Sequence, residues 1–130
     1  MLPNAPQVKQ VMLGANGVAA HMQPGSTFID MTSLNPIASK EIAAELAARG
    51  IQMLDAPVSG GEPKAIDGTL SFMVGGEEEV FNTFKPVLLA MGSSAVRCGG
   101  RAFVSGQPPV NNILFLRVLV QCVTITKDHK

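Results

Sequence analysis

The chain has no tryptophan and no tyrosine, and charged residues fill only 15% of its 130 positions. Hydrophobic residues reach 46%, so this scarcity of charge excludes a solvated, disordered tail for most of the length and fits a buried α/β protein. An excess of one sign is missing too. Ten Lys and Arg balance ten Asp and Glu, leaving nothing to neutralise a phosphate backbone, and nucleic acid is not an expected partner. Cysteine is nearly absent: Cys98 and Cys122 form no disulfide framework and are expected as free thiols of a reducing compartment. Long apolar runs are lacking. Ile113 to Ile125 is interrupted by Arg117 and Gln121 and falls short of the roughly 20 residues that span a bilayer. Polar residues follow Met1-Leu2-Pro3-Asn4 where the apolar core of a signal peptide would stand. A cytoplasmic protein that does not enter membranes is the expectation.

The motifs of several chemistries are missing as well. No Cys or His spacing suits a metal, and His21 is a lone imidazole in a loop, expected to be solvated. Ser59 lacks the glycine two residues earlier that a nucleophile elbow requires. The chain contains no G-x-G, so the G-x-G-x-x-G fingerprint of dinucleotide binding is not there, and Gly14-Ala15-Asn16-Gly17 reads as a loop pair.

What is present is an alternation of short apolar runs and helical patterns, the signature of βαβ units feeding a parallel sheet, in a length that suits one domain or part of one. Met1-Leu2-Pro3 reads as the end of a strand whose beginning is absent. A short helix follows from about Pro6 to Leu13, with Val8, Val11 and Met12 on one side. Pro24-Gly25 predicts a turn and Thr27 to Asp30 a strand. Asn35 as cap and Pro36 in the first turn announce a helix with Ile42 and Leu46 on one face and Gly50 as its left-handed close. Ile51 to Ala56 and Leu70 to Val74 read as two more strands with a polar loop between them. Glu77 to Met91 carries Val80, Phe81, Phe84, Leu88 and Met91 as a helical core stripe that Pro86 should kink or divide. After Ala95-Val96-Arg97-Cys98 the pattern dissolves into a stretch rich in Gly and Pro, then an apolar run.

Two loops follow strand ends, Met31-Thr32-Ser33 after Asp30 and Pro57-Val58-Ser59-Gly60-Gly61 after Ala56, and ligands of open parallel sheets bind outside those ends. Gly60-Gly61 lets a backbone approach an anion and offers consecutive N–H donors, to which the Ser59 hydroxyl adds another. On the residues alone the same triplet reads more readily as a tight turn, and Asp30 and Asp55 can be simply caps of the segments that follow them.

Four segments, Met1-Leu2-Pro3-Asn4, Ile29-Asp30-Met31-Thr32-Ser33, Asp55 through Gly61 and Gly68 through Gly76, resemble in order and spacing successive motifs of the β-hydroxyacid dehydrogenases. Gly60-Gly61-Glu62-Pro63-Lys64-Ala65-Ile66-Asp67-Gly68 is more similar to the tartronate semialdehyde reductase branch than to the 3-hydroxyisobutyrate branch. The resemblance implies the C-terminal half of a Rossmann-like NAD(P)-binding domain over residues 1–98, with 99–130 a divergent tail in place of the family's helical domain. It implies Leu2, Pro3 and Ser33 as positions on the nicotinamide side of NADP or NAD. Ser59, Gly60 and Gly61 would hold the carboxylate of a small 3-hydroxy acid or its semialdehyde. In such enzymes hydride passes between nicotinamide and substrate carbon while a lysine exchanges the proton.

Two departures stand out. The resemblance begins after the family's Gly-rich loop. Near Val110-Asn111-Asn112, which resembles the Asn pair of the family's lysine helix, Pro108 stands where the lysine should be, and Pro108-Pro109 cannot sit in a helix interior. No catalytic residue is therefore assigned. Lys64 is the one nearby substitute, and an exposed loop lysine is poorly matched to proton exchange at neutral pH. The expectation is a fragment of a reductase that converts tartronate semialdehyde to glycerate, inactive by itself. The alternatives are a noncatalytic module that associates with itself or a partner, or a truncated gene product without a role. A homo-oligomer is compatible with either functional reading.

Overall fold

A computed structural model describes residues 1–99. Expectations that concern Pro108, the Asn111-Asn112 pair, Cys122 and the tail beyond Gly99 lie outside the described residues.

The first helix, α1 (Ala5–Leu13), is capped by Asn4, whose side chain accepts from Gln7 N, and carries Pro6 in its first turn. Val8 and Met12 are buried, whereas Val11, expected beside them, is 44% exposed. At three residues from Val8 but one from Met12, it falls on the flank of the stripe. Met1-Leu2-Pro3 is not a strand. A strand needs a hydrogen-bonded neighbour, and the Leu2 N–H is committed to the Thr32 side chain instead.

Strand β1 (Thr27–Asp30) and helix α2 (Pro36–Ala48) match the expected boundaries, because their stops are written locally. Asn35 Oδ1 accepts from Ala38 N at 2.8 Å, and Gly50 takes φ 72° after the last turn. Gly25 N then bonds to Gly50 O, tying the turn before β1 to the turn after α2. Strand β2 (Gln52–Asp55) lies parallel to β1, completing one βαβ unit.

The segment expected as a polar loop holds two small elements, β3 (Val58–Ser59) and α3 (Gly61–Ile66). Strand β4 (Leu70–Gly75) pairs antiparallel with β3 and, at Asp55↔Gly75, with β2. Helix α4 (Glu78–Leu89) then leads into β5 (Gly92–Gly99), parallel to β4, as a second βαβ unit. The sheet is thus parallel inside each unit and antiparallel at the seam between them. The seam reverses because β2 runs on through Pro57 into β3 and the chain turns back over only six helical residues, too few for a crossover.

Pro86 does not divide α4. Its missing N–H frees only the carbonyl of Asn82, and both residues face solvent, where water replaces the lost bond. Val80, Phe81 and Leu88 are buried as expected, Phe84 is half-buried, and Met91 lies past the helix end and is exposed.

Two apolar clusters flank the sheet. Val8, Met12, Ile42, Leu46 and Met53 form one, with Phe28 against it; Leu54, Phe72, Val74, Phe81 and Leu88 form the other, with Ile29 against it. Adjacent residues Phe28 and Ile29, and Met53 and Leu54, point to opposite clusters, as strand alternation requires. Helices α1 and α2 therefore cover one face and α4 the other. Among the described residues no helix is long and apolar enough to cross a membrane.

Candidate functional site

The carboxyl ends of β1 and β2 bring two acids together: Asp30 and Asp55 are register partners on neighbouring parallel strands, each 2% exposed. Asp30 Oδ1 accepts from Thr32 N at 2.9 Å, closing the turn that starts the Met31-Thr32-Ser33 loop. Its other oxygen has no hydrogen-bond partner among the described residues. Ala56 N donates to Asp30 O at 2.7 Å, so the two strand ends are held to each other by backbone as well.

Thr32 extends this arrangement to the start of the chain. Buried like the acids, it accepts from Leu2 N on Oγ1 at 3.0 Å across thirty positions of sequence. This bond gathers Leu2, Pro3 and the Thr32-Ser33 loop at one end of the sheet, with Leu2 half-buried and Pro3 and Ser33 exposed. The residues expected on the nicotinamide side thus sit together. Thr32 is the member that sequence reasoning did not single out as a site residue, though its place in the Asp30 turn was a local clue.

Ser59 continues upward from β2 through Pro57 and pairs with Ser71 of β4. Gly60 takes φ 143° and Gly61 φ 64°, left-handed conformations that turn the backbone from strand into α3. Ser59 and Gly60 are half-buried and Gly61 is exposed. The Ser59 hydroxyl makes no hydrogen bond among the described residues. Both loops therefore rise from the same end of the sheet, one from β1 and one from the continuation of β2. A cleft that includes Gly50, Gln52, Met53 and Glu77 opens at the opposite end, where β2 begins, and belongs to neither loop.

This architecture has known counterparts. A family model described as the NAD binding domain of 6-phosphogluconate dehydrogenase matches residues 1–100. The chain belongs to the β-hydroxyacid dehydrogenase family. Over 100 residues it is 45% identical to the 2-hydroxy-3-oxopropionate reductase of Escherichia coli strain K12, covering 77% of this chain and 34% of that protein. The mitochondrial 3-hydroxyisobutyrate dehydrogenase of Mus musculus is 40% identical over 114 residues, 88% of this chain and 34% of that one. Among solved structures, a Mycobacterium tuberculosis 3-hydroxyisobutyrate dehydrogenase with L-serine superposes with a TM-score of 0.74 at 34% identity, over 81% of this chain and 35% of that chain. The chain spans about a third of the length of the curated relatives it matches.

Proposed function

We propose that this chain carries the nicotinamide-side loops and the carboxylate loop of an NAD(P)-dependent reductase that converts tartronate semialdehyde to glycerate, and that it does not turn over by itself. The observation that carries this reading is the Leu2–Thr32 hydrogen bond, which assembles the first loop at the sheet end from which Ser59-Gly60-Gly61 also rises. The residues fit NADP or NAD in part. Leu2, Pro3 and Ser33 offer an apolar edge and a hydroxyl where a nicotinamide ring would lie, and Asp30 and Thr32 stiffen that loop from beneath. When bound, the cofactor supplies the hydride. The Ser59 hydroxyl and the amides of Gly60 and Gly61 hold the substrate carboxylate and so orient the carbon that changes oxidation state.

Two features of the sequence support inactivity. It contains no G-x-G to cradle a pyrophosphate, and by the resemblance Pro108 stands where the family's proton-exchanging lysine is expected. Losing a general acid/base alone costs about 10² to 10⁴ in rate. The similarity to the Escherichia coli reductase favours tartronate semialdehyde as the substrate of the parent enzyme.

The test combines kinetics with amide NMR on the 130-residue chain. Reduced nicotinamide should not be consumed with tartronate semialdehyde. Nicotinamide mononucleotide should move the Leu2, Thr32 and Ser33 amides, and glycerate should move those of Ser59, Gly60 and Gly61. Turnover abolished by Ser59→Ala would overturn the inactivity, and unmoved amides would overturn the assignment of the corresponding loop.

A second reading is favoured by β1, which pairs on one side only among the described residues and so presents a strand edge. Association through that edge predicts a concentration-dependent dimer in sedimentation velocity. A monomer at the highest accessible concentration would exclude it.

A further inference from the structure

The reading of Ser59-Gly60-Gly61 as a carboxylate loop leaves its charge unaccounted for, since a hydroxyl and backbone amides carry none. The structure places one cation against that loop. A Cβ built on Gly60 would stand 2.6 Å from Lys64 Cβ and 2.8 Å from Lys64 Cδ, so the lysine stem lies directly on the Gly60 backbone. Leu70 Cδ2, at 3.2 Å from the same point, forms the other wall. The Lys64 ammonium is only two bonds beyond Cδ. With the stem in this position it stays within about 5 Å of this point, well inside the range at which unit charges interact in dilute salt.

Lys64 is also uncommitted. It is exposed, and its Nζ has no ion pair or hydrogen bond among the described residues. Between Gly60 and Thr69 it is the sole cation, against the carboxylates of Glu62 and Asp67. Fixing the stem while leaving the head free is an arrangement in which a lysine contributes packing and a mobile charge at once.

We propose that Lys64 is a specificity-determining residue: resting on the carboxylate-loop reading, it adds a charge contact that makes the site prefer small anionic acids, and dicarboxylates over monocarboxylates. It moves no proton. Its role is separate from the missing lysine of the tail, because it acts on the carboxylate end of the ligand. Without it, the two acids of the segment would oppose the ligand unbalanced.

The experiment titrates the full chain with glycerate and with tartronate, a hydroxy-dicarboxylate, following the Ser59, Gly60 and Gly61 amides at low salt. The wild-type chain should bind tartronate several-fold more tightly than glycerate. Lys64→Met keeps the stem over Gly60 and removes the charge. It should weaken glycerate about fivefold and abolish or invert both the preference for tartronate and the salt dependence, because Glu62 and Asp67 are then unopposed. Lys64→Arg should retain the preference. An unchanged amide spectrum of Lys64→Met without ligand shows that the loop is intact. If both ligands move the loop amides but Lys64→Met binds them as the wild type does, the inference fails and the loop reading stands. If neither ligand moves those amides in the wild type, the loop reading fails and takes this inference with it.

Discussion

Thr32 ties two segments together: its backbone amide donates to Asp30 Oδ1 and its side-chain hydroxyl accepts from Leu2 N. Thr32→Val keeps the shape and deletes the acceptor, leaving the Leu2 N–H without a protein partner. The expected cost is about 0.5–1.5 kcal/mol by chemical denaturation, with faster hydrogen exchange at Leu2. Gly76 stands under a different constraint. Its φ is 152°, and a Cβ there would meet Leu54 Cδ2 at 2.5 Å and Met53 O at 3.3 Å. Gly76→Ala should therefore destabilise by about 1–3 kcal/mol, read as a lower denaturation midpoint. The Asp30 turn was legible in sequence because an Asx turn closes over two residues. The Thr32–Leu2 bond was not, because nothing local distinguishes a threonine that accepts from thirty residues away. Likewise Lys64 was visible as a lysine near the loop, but its stem lying on Gly60 depends on the turn that the two left-handed glycines make.

At the scale of elements, local stops decided what could be read. Asn35, Pro36 and Gly50 mark both ends of α2, and Asn35→Ala should cost about 1 kcal/mol through the lost bond to Ala38 N, measurable as a lower denaturation midpoint. Strand β3 escaped notice because two residues have no periodicity, and only β4 across from Val58 and Ser59 makes them a strand. Strand β5 opens with Gly92-Ser93-Ser94, polar residues that take strand form by pairing with the buried β4. In α4 the proline rule misled because it presumes a buried backbone, whereas Pro86 sits on the wet side. The exposed flank formed by Val87 and Leu89 near the end of that helix has no counterpart in the 3.6-residue stripe that predicted its core.

For the whole molecule, β2 is the shared wall of two cores, since Met53 belongs to one cluster and Leu54 to the other. Leu46 and Leu88 are each fully buried, on opposite faces. Leu46→Ala and Leu88→Ala should each cost about 2–5 kcal/mol and lower a single common transition, because neither cluster is complete without that strand. Coincident unfolding curves from circular dichroism and from hydrophobic-dye binding would bear this out; two separated transitions would show independent cores. The family and the two loops were readable from motifs, while the mixed direction of the sheet was not, because pairing sense depends on the length of a connection whose contents were hidden.

That reversal of β4 sets a reach problem. Strand β5 runs parallel to β4 and ends where Gly99 faces Gly75, whereas Ser59 faces Ser71 four residues higher along the same strand. Four residues of strand measure about 13 Å. Anything attached after Gly99 that is to touch Ser59 must climb back that far, which takes about four residues of extended arm or about nine of helix. The height of one strand thus sets how long any arm leaving Gly99 must be to return to Ser59.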